Sequence, residues 1–230
     1  MDFATNIKFF DVKHRKKVKF LQVVGIPLML IGALMLVLSS FHGLGLWFLG
    51  RLGWIPLVVG GPLWAVSLSM KVKESDVMDL IDTSKRDFKE YCEDKLNYPS
   101  DLSANSLILV GSQSGEDEQS KLLPPRTLKA GGLLYPVVTL AYLYIRRDRL
   151  TVLTRRISLC EEWSEDKSAE YDFTDFDGAG VEPVANELGK AYAFCLKKGD
   201  EQIFSTPVLI DDYTKEAFAK DILHAKERRR

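Results

Sequence analysis

Cysteine and histidine are scarce in this 230-residue chain, with three of each. Cys92, Cys160 and Cys195 are widely spaced and odd in number, so they supply neither a disulfide framework nor a zinc pattern, and their usage suits a reducing compartment. His14, His42 and His224 lie in a basic leader, a short connection and the last helix, which assembles neither a catalytic triad nor a metal cluster. No phosphate-cradling glycine loop and no dinucleotide fingerprint occurs. Gly111-Ser112-Gln113-Ser114-Gly115 has glutamine where a nucleophile elbow needs serine. These absences leave no catalytic residue, cofactor or metal ligand to name, and a non-enzymatic protein is expected.

Charge is missing from two long stretches. Residues 20–38 and 52–70 are each 19 residues without Asp, Glu, Lys or Arg. Each approaches the roughly 20 residues that a helix needs to cross about 30 Å of hydrocarbon. Backbone polar groups in lipid must be satisfied within their own segment, so a pair of transmembrane helices, at about 19–41 and 47–70, is expected within residues 18–70. The first run is longer than a signal peptide core, and a second run follows directly. Gly25, Gly32 and Ala33 are expected to pack against Gly60 and Gly61, and Trp47, Trp54 and Trp64 to supply interfacial anchors, Trp47 foremost. Arg51, at the outer end of the second run, can snorkel to the headgroups.

Charge divides the chain. Residues 1–70 carry net +5 and residues 71–230 net −6. An acidic soluble part argues against nucleic acid as a partner. Lys13, Arg15, Lys16, Lys17 and Lys19 precede the first run and Lys71 and Lys73 follow the second, whereas the connection offers only Arg51. The positive-inside rule therefore predicts a multi-pass cell-membrane protein with both termini cytoplasmic. Residues 1–17 read as a basic cytoplasmic leader, either a frayed topology signal or an interfacial segment whose Phe3, Ile7, Phe9 and Phe10 enter the headgroup region.

Residues 71–98 form an amphipathic juxtamembrane helix, with Val77, Leu80, Ile81, Ser84, Phe88 and Tyr91 at steps of three and four. Its stripe packs on the following domain or forms a coiled coil between protomers. Asn97-Tyr98-Pro99 should end it. From residue 105 the period falls to two. SLILVGS is a strand followed by an acidic loop; TLAYLYIRRDRLTVLTRRISL is a hairpin around Arg147-Asp148; SAEYDFTDF is a strand; KAYAFCLKKGDEQIFSTP is a hairpin turning at Lys198-Gly199-Asp200. The chain ends in an amphipathic helix, capped by Asp211 or Asp212, with Tyr213, Ala217, Phe218, Ile222 and Leu223 on its inner face.

YLYIRRDRLTVLT, YDFTDFDGAGVEP, KAYAFCLKKGDEQIFSTP and TKEAFAKDILHA, in that order within residues 105–226, resemble the bacterial pleckstrin-homology-like (PH-like) domains. The likeness is one of pattern, and the acidic loop near Glu116 departs from it. It implies an α+β domain over residues 103–228: a bent antiparallel sheet or barrel of six or seven strands closed by a C-terminal helix, used for binding or assembly. Phosphoinositide-binding members of the wider superfamily hold phosphates with basic residues on an early hairpin. The matching positions here are Arg146, Arg147, Arg149, Arg155 and Arg156, whose guanidinium groups suit bidentate phosphate contacts. Two functions are expected from this: an interaction or scaffolding module displayed from the bilayer, with a protein partner or a second copy meeting the spans or the juxtamembrane helix, and alternatively a sensor of anionic lipid headgroups. Carboxylates at Glu116, Asp117, Glu118, Glu161, Glu162, Glu165, Asp166, Asp175 and Asp177 sit in loop-like polar stretches and read as solvated surface, with weak divalent-cation binding as the alternative.

Overall fold

The computed structural model describes residues 3–40, 47–96, 105–113, 123–129, 132–147, 149–184, 191–209 and 213–228. The acidic loop near Glu116, the 97–99 helix stop, Asp148, the caps at Asp211 and Asp212, and the side chain of Trp47 lie outside the described residues. The chain divides into two compact units, one of residues 11–73 and one of residues 1–10 with 74–230.

The first unit is a helical hairpin of α2 (Val12–Ser39) and α3 (Trp47–Met70). Both helices are long and apolar enough to cross a membrane. Most of their apolar side chains point outward, as Phe20 (65% exposed), Leu30 (64%) and Val58 (67%) do, which a water-soluble core helix would not tolerate. The helices touch through glycines. A Cβ on Gly25 would lie 2.9 Å from the Trp64 backbone nitrogen, one on Gly32 2.7 Å from the Gly53 carbonyl, and one on Gly60 2.8 Å from the Gly25 carbonyl. The seven-residue spacing of Gly25/Gly32 and Gly53/Gly60 keeps one seam in contact. Two expected partners are corrected: Ala33 is exposed and Gly61 has nothing near its Cβ position, whereas Gly53 takes part. At the base, His14 Nε2 lies 2.9 Å from the Met70 carbonyl oxygen, a group that the end of α3 leaves without an intrahelical donor.

In the second unit, α4 (Glu74–Lys95) is followed by β1 (Ser106–Gln113), β2 (Arg126–Thr127), β3 (Leu133–Leu134), β4 (Val137–Ile145), β5 (Arg149–Ser158), β6 (Ser164–Asp172), β7 (Gly178–Val184), β8 (Ala191–Lys198), β9 (Glu201–Val208) and a last helix, α5 (Tyr213–Glu227). The order β1-β4-β5-β6 forms one antiparallel sheet and β7-β8-β9 another, with β2 and β3 as a small ribbon. The layout is α+β, without a closed barrel among the described strands. The sheets meet where β9 crosses β1: Leu209 N donates to the Val110 carbonyl (2.8 Å), and a Cβ on Gly111 would fall 1.8 Å from the Pro207 carbonyl oxygen. Only glycine admits that approach. Gly199, at φ +59°, turns β8 into β9.

Alternation along β4 and β5 gives each strand two buried faces. Leu109, Ala141, Leu143, Leu150 and Val152 face inward and pack with Phe173, Phe176, Phe194, Leu196 and the Phe218/Ala219/Ile222 stripe of α5. Within that stripe Ala219 is buried and the expected Ala217 is only half-buried. The opposite face carries Leu140, Tyr142 and Leu153. On α4 the buried stripe is Val77, Ile81, Phe88 and Cys92, so Cys92 closes it in place of Tyr91. The thiol serves there as a small apolar group.

The leader departs most from expectation. Residues 3–10 are neither frayed nor free for lipid: they form α1 (Phe3–Phe10), which belongs to the β-rich unit. Phe9 and Phe10 are fully buried, meeting edge to face with centroids 5.1 Å apart. Asn6 Nδ2 donates to the Leu159 carbonyl (2.8 Å). The Arg126 guanidinium lies 3.7 Å above the Phe9 ring, and its Nη1 donates to the Phe9 carbonyl (3.3 Å). Burying two phenylalanines is worth roughly 1.5–3 kcal/mol each. An eight-residue helix is marginal alone in water, so this docking is what holds it.

Candidate functional site

The five arginines are positioned by the β4–β5 hairpin, and the β5–β6 register sets three of them, Arg149, Arg155 and Arg156, opposite acidic residues of β6. Arg155 pairs with Asp166, Arg156 with Glu165, and Thr151 with Glu170. Arg155 Nε and Nη2 donate to the two Asp166 carboxylate oxygens, both at 2.7 Å, the bidentate geometry that strengthens a guanidinium pair. The aromatic rings of α4 flank the same guanidinium, Tyr91 at 4.6 Å and Phe88 at 5.0 Å from their centroids. Arg155 thus joins α4 to the sheet through a carboxylate and two π faces.

One residue on, the side chain turns to the other face. Arg156 Nη1 meets Glu165 Oε2 at 3.2 Å, and its guanidinium lies 5.4 Å from the Trp163 ring. The Gln113 amide, oriented with its oxygen toward Arg156, accepts from Nε (3.0 Å) and Nη2 (3.1 Å). At the opposite end of the hairpin Glu170 receives two arginines, Arg149 at 2.8 Å and Arg146 at 3.6 Å. Arg147 is exposed and forms no ion pair with a described residue. The hairpin therefore spreads the five residues over both faces and both ends of the sheet instead of gathering them into one anion cradle. No group of three or more His, Cys, Asp or Glu suited to a metal ion occurs among the described residues.

The electrostatics reflect these pairings. The hydrogen bond from Arg155 holds the Asp166 carboxyl below its usual range, and the same bond raises Arg155. Glu165 is lowered by hydrogen bonds from Lys167 and then Arg156. Burial pushes the Cys92 thiol up to about 12, against the opposing pull of Arg155. At neutral pH Cys92 is a protonated, enclosed thiol and a poor nucleophile.

The position of the arginine turn within the unit matters as much as its charge. Leu159, just past the end of β5, binds α1 through Asn6. Glu74, the first residue of α4, accepts from the Lys129 amide (3.0 Å) in the ribbon that precedes β4. Both points where the chain leaves this unit toward residues 11–73 therefore lie at the end of the sheet that holds Val137 and Ser158. Arg147 lies at the other end, a ten-residue strand away or about 30 Å at roughly 3.3 Å per residue. Sequence reasoning missed Asn6, Phe9, Phe10 and Arg126 as a set, although the aromatic density of residues 3–10 was a signal. Comparison with protein-family models, curated proteins and solved structures finds no match for this chain.

Proposed function

We propose that this chain is a non-enzymatic, multi-pass cell-membrane protein with both termini in the cytoplasm, displaying a PH-like body as a protein-interaction or scaffolding module. The observation that carries the reading is the order of the body: antiparallel strands, four in one sheet and three in another, followed by a C-terminal helix, which agrees with the run of six or seven antiparallel strands and a closing helix that the resemblance implies. Lysine and arginine at both helix bases support the orientation, and the outward apolar surface of α2 and α3 supports lipid as their solvent. The coiled-coil alternative for α4 loses its surface, because Val77, Ile81, Phe88 and Cys92 are buried. Association through Gly25, Gly32, Gly53 and Gly60 meets the same obstacle, since these glycines are occupied within the hairpin. On this reading the partner meets the β-rich body.

The headgroup-sensor reading draws less support. Arg146, Arg149, Arg155 and Arg156 are matched by Glu170, Asp166 and Glu165, and Arg147, the one of these five without an ion pair to a described residue, sits at the end of the sheet away from both chain exits. Photo-crosslinking from position 147 in native membranes tests the choice. A discrete protein adduct supports the interaction module, whereas adducts with lipid alone overturn it in favour of the sensor.

A further inference from the structure

Residues 1–10 belong to a unit whose remaining chain begins only at residue 74, after both apolar helices. Their partners are remote in sequence. Asn6 Nδ2 donates to the Leu159 carbonyl 153 positions on, and Arg126, 117 positions on, donates to the Phe9 carbonyl and covers the Phe9 ring. Phe9 and Phe10 have no exposure at all. Without α1 the Leu159 carbonyl loses its amide donor, and the surface that encloses two phenyl rings is left open to water. The chain is made from residue 1 onward, so α1 and the hairpin exist before Arg126 and Leu159 do. A folded-out α1 cannot follow its partners through a bilayer, because Asn6, Lys8 and the trailing Lys13, Arg15, Lys16, Lys17 and Lys19 are costly to place in hydrocarbon.

We propose that docking of α1 is a checkpoint on membrane insertion: the β-rich unit is completed only in a chain whose residues 1–10 and 74–230 have been left on the same side of the bilayer. The checkpoint rests on the membrane reading of α2 and α3, and what it counts is crossings. An even number returns residues 74–230 to the side that holds α1, whereas an odd number leaves α1 across the bilayer from Arg126 and Leu159. Docking also preserves the arrangement once it is made, since residues 1–10 cannot be drawn across while they are bound within the unit. A chain that inserts one span of the two keeps an open apolar surface, the kind of defect by which incompletely folded proteins are recognised and removed. This holds whether or not the body has a protein partner.

The test compares the full chain, in reduced membrane vesicles, with chains carrying one or two added apolar spans of about 20 residues each between α2 and α3. A membrane-permeant maleimide reads completion of the unit at Cys160, which is buried and directly follows the Leu159 that α1 binds. Labelling should be slow in the native chain, roughly tenfold or more faster with one added span, and slow again with two. The return of protection with two added spans separates a counting of crossings from damage done by the insertion itself. Equal rates with one and with two added spans overturn the proposal. So does a one-span addition that resists alkaline carbonate and still protects Cys160, a result that leaves the membrane reading standing. Release of the native chain by carbonate overturns the membrane reading, and the checkpoint with it.

Discussion

Single side chains that look reactive in this protein are engaged in structure. Asp166 is depressed by Arg155, so the stabilisation it provides is fully present above its unfolded value near 4 and is lost as pH falls through the lower folded value. Asp166→Asn is expected to cost roughly 1–2 kcal/mol at pH 7, discounted because the pair is partly exposed. Its chemical-unfolding midpoint, followed by tryptophan fluorescence, should lose less than the native chain's between pH 5 and pH 3. Cys92 supplies a second check: its thiol, raised to about 12 and fully enclosed, should stay silent to a thiol reagent at pH 8 and react only once the chain unfolds.

For whole helices and strands the expected effects are larger, because packing replaces pairing. Phe10→Ala should destabilise the β-rich unit by roughly 3–5 kcal/mol, the usual cost of emptying a fully buried phenylalanine site, and a thermal or urea transition of the whole chain measures it. Gly60→Leu should separate α2 from α3, since a Cβ already lies 2.8 Å from Gly25 O and from Met29 N; loss of a disulfide crosslink engineered across the hairpin reports it. What the sequence disclosed divides along the same line. The two apolar runs and the β4–β5 and β8–β9 hairpins were legible because each signal is local: uninterrupted hydropathy, alternation, and a glycine able to adopt positive φ at 199. The role of α1 was not, because its partners Arg126 and Leu159 lie more than a hundred residues downstream and eight residues are too few for a periodic stripe to point anywhere. Two-residue β2 and β3 leave no period at all. Among the site residues, the arginine cluster was visible as composition. That Arg155 meets Asp166 while Arg156 turns to Glu165 depends on strand register, which runs of mixed charge do not specify.

In the complete molecule, two units with opposite solvent preferences share one chain. Residues 11–73 expose apolar side chains along both helices, and the β-rich unit buries its own among α5, the sheets, and α4 with α1. Since α1 and residues 74–230 belong to one unit, the proposed double crossing requires both ends of the hairpin to lie on one side of the bilayer. In the proposed orientation that side is the cytoplasm, a reading supported by the lysine and arginine at the helix bases. The decisive measurement is protease protection of membrane vesicles of known sidedness, washed first with alkaline carbonate, using distinct tags before Met1 and after Arg230. The chain should remain in the washed membrane, and both tags should be cut only where the cytoplasmic face is open to the protease. Release by carbonate, or tags cut from opposite faces, would contradict the account.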